Sequence, residues 1–311
     1  MIDSRLRLLQ MVEHTGTVTQ AAHAMHITPS AASYQLRQLA NEHKVTLMES
    51  YGRGIRLTAA AHILLRHTAV LVEQSTRAMA ELAAAGSQPG GTVTLCGFST
   101  AATHLLPPVA ARLRDQHQEV DVRLIEAEPA RCLDLLLAGE ADLALIVSTA
   151  QTPSESDQRF EQRWLFDDPL DLIVPDDHAF THKKRVTLRD ARNEPWILGR
   201  PDSTYHHLVD ASCEAAGFTP DVAHYADEWE TGVALVAQGF GIILVPRLAR
   251  IPPGLPVARI PLAGDPAPAR RVVSVTRPGS SEHPLLAEIL SDLDRRVTEL
   301  FEAGDSARLH Q

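Results

Sequence analysis

The stretch TPSAASYQLRQLANEHK, residues 28–44, decides how the N-terminal part of the chain is interpreted. Its apolar residues Ala32, Leu36 and Leu39 follow helical spacing and predict one face that packs inward. The opening turns of the same helix carry short polar and basic side chains at spacings of three and four residues, so a second face points outward. The residues predicted on that outward face are Ser30, Ser33, Tyr34 and Arg37.

The chain around this stretch is predicted to form three short helices. Residues 4–14 form the first, which is amphipathic. Thr19 is the predicted N-cap of the second, because its hydroxyl can accept from the free N–H groups of a first helical turn. Thr28 repeats that role before the third helix, with Pro29 at the first helical position, where its missing N–H costs nothing. The second and third helices therefore meet at a tight turn around Ile27.

This order of helices is typical of a helix-turn-helix, whose second helix lies in the DNA major groove. Arg37 suits a guanine or a phosphate, and Tyr34 suits a thymine methyl or a phosphate. Residues 49–58, ESYGRGIRLT, predict a hairpin wing with Arg53 at its tip, where it suits a narrow minor groove. Each feature alone would be an ordinary solvated surface. Their succession along the chain favours double-stranded DNA as a partner.

The charge of the chain is divided unevenly. Residues 1–85 hold 8 Lys and Arg against 6 Asp and Glu, a net +2, whereas residues 86–311 hold 21 against 33, a net −12. Screening limits the reach of distant charge to about 8 Å at physiological salt. The mildly basic N-terminal part can therefore bind phosphates although the whole chain carries −10.

A single long helix is predicted from Thr58 to about Ala85, because this segment contains no Gly or Pro. Its apolar and small residues follow a repeat of 3.5 residues, which favours pairing with a second copy of the chain. The alternative is that the same residues pack on their own chain. Two polar members weaken the pattern, so further subunit contacts are expected. The repeat consists of Leu57, Ala61, Leu64, Thr68, Leu71, Ser75, Ala78 and Leu82.

The remainder of the chain predicts two α/β lobes. GSQPGG, residues 86–91, is a linker by composition. Strands and helices then alternate, which indicates a mostly parallel sheet with helices on both faces. A last strand and helix return to the first lobe. The predicted boundaries are 1–58 for a winged helix-turn-helix domain, 59–86 for the long helix, 87–91 for a hinge, 92–163 with 269–303 for the first lobe, 164–268 for the second lobe, and 304–311 for a tail.

Polar residues follow the strands of both lobes. In open α/β folds ligands lie beyond the carboxyl ends of strands, where hydroxyls and helix N-termini suit a small anion. Glu230, near a predicted helix start, suits a cationic group, so an anionic or amino-acid-like effector is expected. The alternative for each residue taken singly is a simple N-cap. The candidates are Ser99, Thr100, Ser148, Thr149, Asp202, Ser203, Thr204 and Glu230.

Several classes of protein are disfavoured. Cys96, Cys132 and Cys213 are an odd number without CxxC spacing, which predicts three buried reduced thiols, with a redox switch as the alternative. The histidines match metal-ligand spacing only loosely, so no metal and no cofactor are expected.

No apolar run approaches the roughly 20 residues that span a bilayer, and the N-terminus lacks a signal-peptide core. We therefore expect a cytoplasmic protein without a membrane partner.

The residues described so far resemble the LysR-type transcriptional regulators over roughly 2–300. The most specific match is residues 17–61, which follow the winged helix-turn-helix pattern of that family. Residues 124–147 and 231–246 resemble its effector domain. The resemblance implies an α/β fold class: an N-terminal, all-α-type winged helix-turn-helix, a long linker helix, and a two-lobed α/β effector domain of the type 2 periplasmic-binding-protein kind.

The resemblance also implies partners and a site. It implies promoter DNA, a small-molecule co-inducer, a homodimer or tetramer, and RNA polymerase as a candidate partner. The family binds its effector in the cleft between lobes, near positions that match Ser99, Thr100, Thr149, Ser203 and Thr204. Two departures occur. His43-Lys44 replaces the usual Leu-Gly that ends the recognition helix, and Met48-Glu49-Ser50 replaces a Phe-Glu-Arg run before the wing.

Two rival interpretations remain. GFSTA, residues 97–101, resembles the start of a nucleophile elbow, but position 101 is Ala and the segment fits a strand-to-helix cap, so no catalytic residue and no enzyme activity are expected. A solute-binding or small-molecule-sensing protein without a DNA function is the second. It would leave residues 1–85 without a role, and a gel shift with DNA flanking the reading frame distinguishes it from a regulator.

Overall fold

The computed structural model describes residues 2–52, 54–86, 90–149, 152–264 and 267–308, the last eight of these by their backbone alone. The chain divides into two compact units. Unit 1 consists of Met1–Ile146, Thr152–Arg163 and Ser274–Gln311, and unit 2 of Val147–Gln151 and Trp164–Val273.

Unit 1 begins with three short helices, a hairpin and one long helix. The helices are α1 (Ser4–Thr15), α2 (Val18–Ala24) and α3 (Pro29–Glu42); the hairpin strands are β1 (Met48–Tyr51) and β2 (Gly54–Leu57); the long helix is α4 (Ala59–Ala85).

The caps of these helices follow the sequence, with one correction. Thr28 caps α3 as expected, and Pro29 occupies its first turn. The prediction that Thr19 caps α2 is wrong, because the cap is Thr17, whose side chain accepts from the backbone N–H of Gln20. Both threonines satisfy the residue-type preference for a cap, and the pattern did not distinguish them.

The C-terminal end of α3 is made without glycine. Lys44 adopts φ = 55°, the left-handed conformation that favours Gly. Its N–H donates to the carbonyl of Asn41 at 3.1 Å, and the N–H of Val45 donates to that of Ala40 at 3.0 Å. These two bonds form a Schellman motif, so the departure at position 44 keeps the geometry of the cap at the cost of backbone strain.

The wing is the predicted hairpin. β1 and β2 pair antiparallel from Met48 opposite Leu57 to Tyr51 opposite Gly54. Gly52, at φ = 58°, supplies a conformation that two-residue hairpin turns require. Arg53, predicted at the tip, lies outside the described residues.

The predicted 3.5-residue repeat of helix α4 does not lie on a single exposed face. Ala61 and Thr68 are buried within their own chain, with 0% and 1% of their surfaces exposed, as the alternative interpretation required. Leu71 and Leu82 are 53% and 66% exposed. The 3.5-residue spacing therefore passes from a packed face near the start of α4 to an open face near its end, because a straight helix has 3.6 residues per turn and the repeat drifts around it.

The α/β part of unit 1 is built on a parallel core. β3 (Gly91–Gly97) pairs in parallel with both β4 (Val120–Glu126) and β5 (Leu143–Ser148), as the alternation of strands and helices predicted. The helix predicted across residues 101–117 is instead two helices, interrupted at Leu105 (φ −108°, ψ −54°) with prolines in the first turn of the second. The elements are β3 (Gly91–Gly97), α5 (Ser99–His104), α6 (Leu106–Gln116), β4 (Val120–Glu126), α7 (Pro129–Ala138), β5 (Leu143–Ser148) and α10 (Pro284–Arg308).

Unit 2 departs further from the predicted parallel pattern. β6 (Glu161–Pro175) pairs antiparallel with β9 (Ile243–Pro246) and β10 (Val257–Ile260), whereas β7 (Pro195–Leu198) and β8 (Asp221–Tyr225) pair in parallel. Strand β10 and two 3₁₀ segments were not predicted. The elements are β6 (Glu161–Pro175), the 3₁₀ turns Ala179–His182 and Leu188–Asn193, β7 (Pro195–Leu198), α8 (Thr204–Ala215), β8 (Asp221–Tyr225), α9 (Trp229–Ala237), β9 (Ile243–Pro246), β10 (Val257–Ile260) and β11 (Ala269–Thr276), of which β6 and β11 extend into unit 1.

The core of unit 2 contains one buried ion pair. Asp168 and Arg270 are 0% and 5% exposed, and Arg270 Nη2 lies 2.8 Å from Asp168 Oδ2. The backbone N–H of Leu248 also donates to Asp168. Because these bonds replace water around both charges, the pair is compatible with burial. Among the described residues, no helix is both long and apolar enough to cross a bilayer.

Candidate nucleic-acid interface and effector region

The polar face of α3 is open, as the sequence predicted. Tyr34 is 55% exposed, whereas Leu36 is 0% and Leu39 is 1% exposed. Ser30 and Arg37 are exposed and Ser33 is half-buried. One stripe therefore anchors α3 to unit 1, and the other presents hydroxyls and a guanidinium to solvent.

The first turn of α3 holds a pair of hydroxyls. Thr28 Oγ1 accepts from the N–H of Ala31 at 3.2 Å and lies 3.0 Å from Ser30 Oγ. The cap uses one lone pair of Thr28, and one of the two hydroxyls donates to the other. Pro29 is exposed beside them. Hydroxyls and free N–H groups at a helix start bind phosphate oxygens well. Thr19 is also exposed, in the first turn of α2.

The sequence analysis missed one member of the α3 face. Gln38 is exposed, and its Nε2 donates to the Tyr34 hydroxyl at 2.7 Å. This bond holds the phenol in place and extends the polar face by one turn. The i, i+4 spacing from Tyr34 was the available signal. A Gln amide has the donor and acceptor that pair with the N6 and N7 groups of adenine, so Gln38 adds a second polar group of that kind beside Arg37.

The wing carries a second cation that the sequence analysis did not single out. The Arg56 guanidinium lies 5.4 Å from the ring centroid of Tyr51, which is 67% exposed. Its Nη2 is 3.3 Å from Glu49. The partial neutralisation by Glu49 makes Arg56 a weaker phosphate ligand than an unpaired arginine would be.

In unit 1, the effector candidates Ser99 and Thr100 begin α5. Ser99 is half-buried, and its carbonyl accepts from the Thr103 hydroxyl at 2.9 Å. Thr100 is 4% exposed, so its side chain is largely withdrawn from solvent. Of the two, Ser99 is the better placed to meet a ligand.

In unit 2, the starts of α8 and α9 lie together. The rings of Tyr205 and Trp229 meet edge-on, with centroids 4.6 Å apart. Ser203 caps α8 by accepting from the N–H of His206 at 3.1 Å, so the N-cap alternative holds for Ser203. A Cβ at Gly199 would lie 2.7 Å from Ser203 Oγ, which explains the glycine at the end of β7.

The other candidates of this unit differ in exposure. Asp202 and Glu230 are exposed, and Thr204 is half-buried in the first turn of α8. Ser148 and Thr149, at the end of β5, are half-buried. Thr204 therefore lies beside the Ser203 cap, and Glu230 lies in the first turn of α9. No group of three or more potential metal ligands occurs among the described residues.

Two family descriptions match the chain. Residues 4–62 match the bacterial regulatory helix-turn-helix protein, lysR family, and residues 86–297 match the LysR substrate binding domain. The chain belongs to the LysR family. It is a LysR-type transcriptional regulator with a DNA-binding domain and an effector-binding domain. The predicted fold class is confirmed.

Relatives in this family are regulators rather than enzymes. The chain is 29% identical over 234 residues to the HTH-type transcriptional regulator AlsR of Bacillus subtilis, covering 74% of this chain and 76% of AlsR. It is 28% identical over 278 residues to the hydrogen peroxide-inducible genes activator of Dickeya chrysanthemi, covering 88% of each. A full-length OxyR variant from Pseudomonas aeruginosa shares the fold with a TM-score of 0.62 at 20% identity, covering 94% of each chain.

The cysteines of this LysR-family chain are buried and reduced, as predicted. A hydrogen bond with Cys96 and burial raise the pKa of Cys132 well above its usual range. Burial, with the nearby Asp210 carboxylate, raises the pKa of Cys213 to about 12. Because the thiolate is the reactive form, these two thiols are poor nucleophiles at neutral pH.

Proposed function

We propose that α3 is the recognition helix and reads operator DNA in the major groove through Ser33, Arg37 and Gln38. The observation that carries the proposal is the division of α3 into a buried apolar stripe and an exposed polar one. Thr28, Ser30 and the wing contribute phosphate contacts. A chain with this role works beside the chromosome, in the cytoplasm.

Titration of fluorescent DNA from the region flanking its own reading frame tests this assignment. Loss of a base-reading arginine costs about 1–3 kcal/mol, so Arg37→Ala is expected to bind that DNA roughly 5- to 150-fold more weakly. Arg123→Ala is the matched control, because Arg123 is exposed on β4 and paired with Asp121 at 3.2 Å. Equal affinity of both variants would refute the role of α3. Transcription from the same promoter by purified RNA polymerase tests that further partner.

A second copy of the chain is the proposed occupant of the open face of α4. Apolar side chains remain exposed there along successive turns. A buried, self-complementary helix pair would remove them from water, and a dimer would match a palindromic operator. The exposed residues are Ile63 at 48%, Val70 at 54%, Leu71 at 53%, Met79 at 61% and Leu82 at 66%.

Sedimentation analysis tests this assembly. Val70→Glu with Leu71→Glu is expected to shift the chain toward the monomer, because both charges would enter the pair. Arg114→Glu, at an exposed position of α6 outside this face, is the control and is expected to keep the oligomer. The wild-type mass also decides between dimer and tetramer. An unchanged mass in the double variant would assign the subunit contact to another surface.

An amino-acid-like molecule is the proposed effector at the junction of α8 and α9. The first turn of α8 and the Thr204 hydroxyl suit a carboxylate, and the exposed Glu230 suits an ammonium group. Thermal shifts of the full chain with amino acids and with simple carboxylates test it. Glu230→Gln is expected to lose the response to amino acids alone. A response to simple carboxylates that exceeds every amino acid would favour a purely anionic effector.

The peroxide response named for the Dickeya chrysanthemi relative is not proposed for this chain. All three thiols are buried, and the pKa values of Cys132 and Cys213 are raised, which argues against a peroxide-sensing cysteine. Micromolar peroxide is therefore expected to leave DNA binding unchanged, and a thiol-dependent change in the DNA complex would contradict this.

A further inference from the structure

Three arginines of unit 1 line one small cavity. Arg7 comes from α1, Arg159 from the segment before β6, and Arg277 from the segment after β11. The wall contributed by α4 consists of Ala69 and Val72. The cavity has room for about one water-sized particle.

Two of the three guanidinium groups have carboxylate partners. Arg159 Nη2 lies 2.6 Å from Asp157 Oδ2, and Arg277 Nη2 lies 2.8 Å from Asp142 Oδ1. The side-chain amides of Gln10 and Gln158 also line the cavity and add no charge. No carboxylate is among the lining residues that the structure describes.

Arg7 is the exception. Within the described part of the chain its guanidinium forms no ion pair, and its only hydrogen bond is from Nη1 to the carbonyl of Ala138 at 3.5 Å. Burial and the nearby positive charge of Arg277 lower the pKa of Arg7. A Cβ at Gly139 would lie 2.6 Å from Arg7 Nη1, so the Arg7 guanidinium lies close against the end of α7. Arg7 is therefore a cation without a paired carboxylate among the residues that the structure describes.

Arg159 supplies a second unmet donor. Its Nη1 is buried and has no hydrogen-bond acceptor among the described residues, although Glu13 Oε2 lies 3.8 Å away as an ion-pair partner. A buried donor without an acceptor has lost its hydrogen bonds to water and gained none in return, which is unfavourable. An acceptor that reached both Arg7 and Arg159 would offset this cost and the charge imbalance together.

We propose that the cavity binds one small inorganic anion of the halide class, with chloride as its ordinary occupant. The anion accepts from the Arg7 and Arg159 guanidinium groups and balances the charge of Arg7. Carboxylates of metabolites and oxyanions such as sulfate are too large for the space. The site contacts α1 and α4 as well as the α/β part of unit 1, so occupancy strengthens the packing among these parts of the unit.

Melting of the full chain tests the site. Sodium chloride is compared with sodium gluconate at equal ionic strength, because gluconate is too large for the cavity. The wild type is expected to gain stability with chloride in a saturable way. Arg7→Gln should raise the half-saturating chloride concentration by at least about tenfold, which corresponds to a loss of about 1.4 kcal/mol in binding free energy. Arg7→Lys should keep part of the response, because it keeps the charge.

The control is Arg123→Gln. This variant removes an exposed cation on β4 that does not line the cavity, so it should respond to chloride as the wild type does. In gluconate, the difference between Arg7→Gln and the wild type gives the baseline for the lost hydrogen bond to Ala138, and the chloride response of each chain is measured from that baseline. An equal chloride response in Arg7→Gln and the wild type would overturn the proposal.

Crystals grown in bromide give a second, independent measurement. Bromide scatters anomalously, so an occupied site gives a peak between the Arg7 and Arg159 guanidinium groups that is absent from Arg7→Gln crystals. A water molecule at that place, or a bromide peak that persists in Arg7→Gln, would overturn the proposal. Neither measurement involves DNA, so the result is separate from the test of α3.

Discussion

Replacing Lys44 by glycine is expected to stabilise the recognition helix. Lys44 holds φ = 55° at the end of α3 and its side chain is exposed. A left-handed conformation costs an L-residue about 1–2 kcal/mol, which glycine does not incur. The greater freedom of glycine in the unfolded chain takes back about 0.4–1 kcal/mol. The net gain is therefore about 0.5–1 kcal/mol, without loss of a packed side chain.

Hydrogen exchange of the α3 amides measures this gain locally. A stabilisation of about 0.5–1 kcal/mol raises protection roughly 2- to 5-fold, because 1.4 kcal/mol is a factor of ten. The Schellman bonds from the N–H groups of Lys44 and Val45 are expected to persist, since both use backbone atoms. Urea unfolding followed by circular dichroism should show a higher midpoint with an unchanged slope.

Lys44→Ala separates backbone strain from charge. It removes the same positive charge but keeps a Cβ in the left-handed conformation, so it is expected to be no more stable than the wild type. If Lys44→Ala and Lys44→Gly stabilise α3 equally, the effect comes from the charge and the strain argument is wrong. A destabilised Lys44→Gly would show that the lysine itself holds the end of the helix.

Four further predictions concern caps, buried charge and thiols. Thr28→Ala, which deletes the cap of α3, is expected to cost about 1 kcal/mol in urea unfolding, whereas Thr28→Ser should cost little. Asp168→Asn is expected to cost about 3–5 kcal/mol, because it leaves Arg270 buried without its counter-charge; a change below about 1 kcal/mol would contradict the pair. Burial raises the pKa of Asp157, but the hydrogen bonds with Arg159 outweigh burial, so this pKa is lowered in the folded state. The ionised Asp157 therefore stabilises the fold above the unfolded-state pKa, and this stabilisation is lost as pH falls through the folded-state pKa. Asp157→Asn should accordingly make the free energy of unfolding less dependent on pH below about pH 4. Native Cys213 is expected to react with a thiol reagent only on unfolding, because its pKa is raised to about 12, and rapid labelling of the folded chain would contradict this.

The helices of the N-terminal domain were predictable because the sequence patterns that indicate them are local. The stripe formed by Ala32, Leu36 and Leu39 repeats within one helix, and Thr28 with Pro29 marks its start. Local signals also have alternatives, which is why Thr17 rather than Thr19 caps α2. A cap preference names residue types and does not decide between two threonines separated by one residue.

Features that depend on tertiary packing were not predictable from spacing. The repeat along α4 did not separate Thr68, buried on its own chain, from Leu71, which is open to solvent. The antiparallel strand β10 follows a proline-rich stretch without clear alternation. The left-handed Lys44 and the lone charge of Arg7 each depend on geometry that residue type alone does not indicate.

The central claim is that the exposed face of α3 reads bases, and its most direct measurement is the ratio of affinities for operator and scrambled DNA. Arg37→Ala is expected to lower this ratio by about 5- to 150-fold, whereas Arg53→Ala should weaken both DNAs alike and reduce the salt slope by about one. An unchanged ratio in Arg37→Ala, or a ratio that collapses only in Arg53→Ala, would contradict the account.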